Sequence, residues 1–180
     1  MEILDIVDQS GNPTGETVDR TKAHREGIMH RTSHVWILRK REDKTEILLQ
    51  KRSSDKDAFP DCYDISSAGH IPAGIGYIES AIRELSEELG VTATEDEFIF
   101  CGDRYVTWDD EFHGIPFHDR QYSRVFCIWK DLNEEDLKLQ KEEVSGILWM
   151  ELDACIKAVE ENTIKNCILV EELNMVKAKV

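Results

Sequence analysis

Between positions 77 and 89 apolar side chains return at Ile78, Ile82, Leu85 and Leu89, the spacing of one buried helical face, and Gly90 supplies the stop. Elsewhere the pattern is strand-like. Residues 2–7, EILDIV, read as a strand, and the turn-forming run Asp8-Gln9-Ser10-Gly11-Asn12 sends the chain back into a second short strand near 15–19, an N-terminal β-hairpin. The β-rich runs 34–38 and 46–50 flank a charged turn at 40–44 and predict another hairpin. A short strand is expected at 63–67, with further strands near 97–106, 121–130 and 145–150. Helices are expected at about 151–161 and 164–177, and the stretches 55–61, 107–120 and 133–143 read as connections. Strands mixed with helices at unequal intervals predict an α/β or α+β sandwich.

Composition narrows this to one domain over residues 1–180, because 180 residues with 41% hydrophobic content bury one core and not two. The 37 acidic residues outnumber the 22 basic ones, and the resulting charge of −15 repels polyanions, which argues against nucleic acid as a partner. A small phosphorylated substrate stays compatible with that charge if a divalent ion neutralises it locally. Five scattered cysteines, Cys62, Cys101, Cys127, Cys155 and Cys167, match neither a disulfide framework nor a zinc ribbon. With no basic leader and no long apolar run, the expectation is a cytoplasmic protein without a membrane partner, and a homodimer is left open.

The helix at 77–89 also carries chemistry. Glu84, Glu87 and Glu88 fall at i, i+3 and i+4 and leave one face together. Like charges at that spacing cost a helix a few tenths of a kcal/mol per pair unless a cation stands between them. Mg²⁺ or Mn²⁺, which favour carboxylate and phosphate oxygens, would do so. Upstream, Gly69-His70-Ile71-Pro72-Ala73-Gly74-Ile75-Gly76 runs into the helix as a glycine-rich loop whose backbone can approach a ligand closely.

Gly69 with Arg83-Glu84-Leu85, Glu87-Glu88 and Gly90-Val91 resembles the Nudix box, the loop–helix motif of the Nudix hydrolases, with every slot but one filled. The resemblance implies the Nudix fold, a mixed β-sheet sandwiched between helices (α/β/α), and a divalent-metal-dependent hydrolase of a diphosphate linkage in a nucleotide-type or other small substrate. It makes Glu84, Glu87, Glu88 and Gly69 the metal-binding residues, and one glutamate orients or deprotonates the attacking water. In the family Arg83 orients the loop and catalytic carboxylates by pairing with a glutamate at the position held here by Ile75. Glu79, four residues before Arg83, is the expected replacement partner. Arg52, Lys51 and His70 are the expected substrate-binding residues, and the aromatic and acidic run 108–114 is a loop that can fold over the substrate.

A wider set of residues, including 23–31, His34-Val35-Trp36-Ile37 and Asp64-Ile65-Ser66-Ser67-Ala68-Gly69-His70, resembles the isopentenyl-diphosphate-isomerase-like branch of the family, which includes a Nudix domain that plants fuse to a peptidase. An isomerase of that branch needs a cysteine where this chain has Ala68, and a cage of three histidines and two glutamates. Here His24, His30 and His70 match the histidines in part, and Gln121 stands where a glutamate is expected. Hydrolysis is therefore the favoured reading. Isomerisation and a catalytically weak ligand-binding module are the alternatives, and His24 and His30 are expected to support the pocket from behind the reacting groups.

Overall fold

The computed structural model describes residues 1–180. Strands β1 (Ile3–Val7) and β2 (Pro13–Asp19) form the N-terminal antiparallel hairpin. Helix α1 (Arg20–Glu26) follows directly. Its start is fixed by Asp19, whose carboxylate accepts from the Thr21 and Lys22 amides, and Gly27 ends it at φ 66°. Sequence periodicity did not reveal this helix, because seven residues are too few to repeat an apolar face.

The main sheet has seven strands: β3 (His30–Arg41), β4 (Lys44–Arg52), β5 (Tyr63–Asp64), β6 (Ser67–His70), β7 (Ile99–Phe112), β8 (Ile115–Trp129) and β9 (Val144–Glu151). Along β5-β4-β3-β8-β7 the β3–β8 pair is parallel and the others antiparallel, while β6 pairs with β3 and β9 with β4. The sheet is thus mixed. Alternation along β3 distributes its side chains to two cores. Trp36 and Leu38 pack with Leu152, Cys155 and Ile156 of α3 (Leu152–Glu160) and Leu173 and Val176 of α4 (Val170–Lys177). Val35 and Ile37 pack on the other side with Ala81, Leu85 and Leu89 of α2 (Tyr77–Leu89). A strand buried on both faces between helices gives the expected α/β/α sandwich.

Two sequence expectations need correction. The stretch 107–120 is not a loop: β7 and β8 stay paired as far as Phe112 opposite Ile115. The turn is His113-Gly114, with φ 54° and 77°, the double positive φ that a tight hairpin of this twist requires. The last helix begins at Val170 rather than near 164. Residues before it run alongside β5 instead, where the Tyr63 amide donates to the Lys165 carbonyl over 2.8 Å and the Cys167 amide to the Tyr63 carbonyl over 3.0 Å. No helix is long and apolar enough to cross a membrane.

Candidate active site

Helix α2 holds the three glutamates in different surroundings. Glu88 is buried and accepts from Ser67 Oγ at 2.7 Å and from Gln50 Nε2 at 3.4 Å, so β6 and β4 fix it from below. Glu84 lies across Gly69, where an added Cβ would stand 2.4 Å from its Cδ; a side chain at position 69 would push the Glu84 carboxyl aside. Glu87 is exposed. Burial pushes the Glu88 carboxyl up to about 8 and the Glu84 carboxyl up to about 7, and the charge of neighbouring glutamates adds to both shifts. Without a cation, burial favours a proton on Glu88 near neutral pH and leaves Glu84 poised between its two forms. Two desolvated carboxyls and a solvent-facing third suit a hard divalent ion, which would displace those protons and replace the missing countercharge.

Arg83 does not use Glu79. Its Nη2 donates to Oε1 of Glu84 at 2.6 Å, while Glu79 lies exposed in the first turn of α2. The glycine-rich loop is fastened from elsewhere. Arg31 Nη2 donates to the Ile75 carbonyl at 3.0 Å and to Asp5 Oδ2 at 2.7 Å, and the same Asp5 oxygen accepts from the Gly74 amide at 2.9 Å. Main-chain bonds from Ala73 to Ile3 and from Ile71 to Arg31 complete the attachment.

Beside this loop the three histidines do meet. His24 of α1, His30 of β3 and His70 of β6 join Asp119 of β8, with one ligand atom from each lying within 4.8 Å of the others. His24 Nε2 is 3.2 Å from His70 Nε2, and Asp119 Oδ1 is 3.6 Å from Nε2 of both His24 and His30. The Nδ1–H of His30 donates to the Ile28 carbonyl at 2.8 Å, which leaves its Nε2 lone pair aimed into the cluster. Neither His30 Nε2 nor Asp119 Oδ1 has a hydrogen-bond partner, although both are buried. Burial lowers the His30 imidazole and takes His70 well below its ordinary range, so both favour the neutral, metal-ligating form.

Asp119 was missed from sequence as a member of this group. Period-two alternation places it on the same strand face as Gln121, whose Nε2 donates to Asp119 Oδ2 at 2.7 Å. Gln121 is thus a support for Asp119. The β7–β8 hairpin roofs the cluster with aromatics: Phe117 stacks on His24 at 4.6 Å, and Trp108 packs against both Phe117 and Phe59. Position 68 lies opposite His34 in the β3–β6 ladder, and Ala68 offers no nucleophile there.

Among the expected phosphate cations, Arg52 already donates to Asp64 at 3.0 Å and to the Ala58 carbonyl at 2.9 Å, and Lys51 stands half-buried on β4 opposite Gly146. Arg20, not singled out in the sequence, sits where its positive charge lowers both His70 and Glu84.

Residues 30–168 match the family model described as the NUDIX domain. The chain is 36% identical over 152 residues to an uncharacterised Nudix hydrolase of Clostridium acetobutylicum, covering 84% of this chain and 71% of that protein. It is 42% identical over 153 residues to Nudix hydrolase 3 of Arabidopsis thaliana, covering 83% of this chain but only 19% of that longer protein. Among solved structures, a Deinococcus radiodurans protein superimposes with a TM-score of 0.70 at 19% identity, over 96% of this chain and 98% of that one. With the loop–helix box intact at all but one position and a NUDIX match spanning most of its length, this chain belongs to the Nudix hydrolase family.

Proposed function

We propose that the protein hydrolyses a diphosphate linkage in a small nucleotide-type or other organic diphosphate, using Mg²⁺ or Mn²⁺ held by Glu84, Glu87, Glu88 and the Gly69 carbonyl. The observation that carries this reading is geometric: the buried Glu88 and half-buried Glu84 leave α2 on one face, and the Glu84 carboxyl lies against Gly69, where a Cβ would displace it. When bound, the cation supplies charge neutralisation for the substrate phosphates and makes water more acidic. Glu87, the exposed member of the three, is the group free to accept a proton as water oxygen bonds to phosphorus and the bridging P–O bond breaks. A cytoplasmic setting belongs to the same reading, supported by five cysteines that remain free thiols.

A second cation at His24, His30, His70 and Asp119 is supported by the unpaired His30 Nε2 and Asp119 Oδ1. Three imidazoles and one carboxylate favour a transition metal over Mg²⁺. That site does not restore isomerase chemistry, because Ala68 brings no thiol to it.

The test is phosphate release from a panel of nucleotide and isoprenoid diphosphates with Mg²⁺ or Mn²⁺, repeated with Glu87→Gln. Release that falls by at least about 100-fold in the variant is the expected result. Double-bond movement without phosphate release would replace this reading with isomerisation, and tight binding without product would replace it with a ligand-binding role.

A further inference from the structure

The family's usual brace between Arg83 and the glycine-rich loop cannot form here, because Ile75 has no carboxylate. The loop is nevertheless held at three points around that residue. Gly74, at φ 79°, donates its amide to Asp5 Oδ2, the Ile75 carbonyl accepts from Arg31 Nη2, and the Ile75 amide donates to the Pro72 carbonyl at 3.1 Å. Asp5 and Arg31 are themselves an ion pair, 2.7 Å apart and almost fully buried, at 8% and 7% exposure. A charged pair out of water is costly unless it makes further hydrogen bonds, and those that Arg31 Nη2 and Asp5 Oδ2 make go to one loop, while the buried Arg31 Nε has no partner.

We propose that Asp5 and Arg31 are the positioning residues of this active site, a clasp that holds the 71–76 loop between β6 and α2 in place of the absent carboxylate at position 75. The inference rests on the metal-hydrolase reading above. It also makes the N-terminal hairpin part of the catalytic apparatus: Asp5 is in β1, outside the residues matched by the family model. Leu4, fully buried beside Asp5, bridges to Pro72 and anchors the strand to the same loop. The two ends of the clasp act differently. Asp5 orders the Gly74 amide through a charge-assisted acceptor, and Arg31 fixes the direction of the peptide that leads into α2.

The experiment compares wild type, Asp5→Asn, Ile75→Glu and the double variant by Mn²⁺ affinity from electron paramagnetic resonance, and by amide exchange of residues 71–76 in metal-free protein. Hydrolysis is measured in parallel. Asp5→Asn keeps the side-chain shape while removing its charge. It is expected to speed loop exchange and weaken Mn²⁺ binding by about tenfold, the usual scale for a group that orients metal ligands. Adding Ile75→Glu should recover most of the Mn²⁺ affinity, because Arg83 then regains a loop carboxylate. Asp5→Asn with wild-type exchange and affinity would overturn the clasp, as would a folded Asp5→Asn protein whose loss Ile75→Glu leaves unchanged. Wild-type protein that binds Mn²⁺ but releases no phosphate from any diphosphate would instead overturn the hydrolase reading while leaving the clasp measurable.

Discussion

Arg83 Nη2 donates to Glu84 Oε1 across 2.6 Å, so one of the three glutamates proposed to hold the metal is held by its own neighbour on the helix. Arg83 is forced into this bond, because Ile75 gives it nothing on the loop and Glu79 points into solvent. Ile75→Glu should draw the guanidinium away and free Glu84. Since the Arg83 side chain is 40% exposed, the exchange is worth what a partly solvated ion pair is worth, and metal affinity should rise about two- to fivefold. A Mn²⁺ titration checks this, and unchanged or weaker binding would show that Arg83 does not restrain Glu84.

Metal-free protein should lose stability as pH rises. A carboxyl whose pKa is raised by folding binds its proton more tightly folded than unfolded. The folded state is therefore penalised as pH climbs from the ordinary carboxylate range through about 7 for Glu84 and about 8 for Glu88. Thermal melting between about pH 6 and 8.5 in a chelator should show a falling Tm, with a shallower fall in Glu88→Gln. Mg²⁺ added at the alkaline end should restore wild type more than the variant. Parallel pH slopes for the two proteins would mean that Glu88 ionises without penalty.

How far the sequence revealed this site follows from the range of the forces involved. That Glu84, Glu87 and Glu88 share one helix was legible because helical spacing is local, and that Gly69 lies close to them because a motif fixes its distance from them. The hairpin 107–120 was hidden by its own composition: acids and aromatics alternate there as in a loop, yet the aromatics Trp108, Phe112 and Phe117 form one packed face. His24, His30 and His70 could be grouped from the branch resemblance, but Asp119 joins them only through the parallel β3–β8 register that sets His30 opposite Gln121. Asp5 and Arg31 are 26 residues apart, and no local pattern announces a pair whose purpose lies in a third segment.

The same reasoning applies to the C-terminal helix, where Glu172 is 2% exposed and accepts from His34 Nδ1 at 3.0 Å, Trp36 Nε1 at 2.9 Å and Arg104 Nη1 at 3.0 Å. Burial alone would lower His34 and raise Glu172. Their mutual charge and hydrogen bond reverse both shifts, so His34 ends above its ordinary range and Glu172 below its own; Arg104 assists at Glu172 and opposes at His34. Glu172→Gln keeps the shape but leaves buried His34 without its counterion and Arg104 with only the exposed Glu171, 3.4 Å away, and should cost about 3–5 kcal/mol in urea unfolding. The pH dependence identifies the cause. Glu172, with its lowered pKa, contributes above the ordinary carboxylate range, and His34, with its raised pKa, contributes below the ordinary imidazole range. The pair is therefore worth most between about pH 4.5 and 6.5. Wild type's advantage over Glu172→Gln should shrink as pH rises beyond that window and His34 loses its proton. An advantage that stays constant into alkaline pH would assign the stabilisation to Arg104 and Trp36 alone, and would leave His34 a neutral neighbour of Ala68 instead of a charged one.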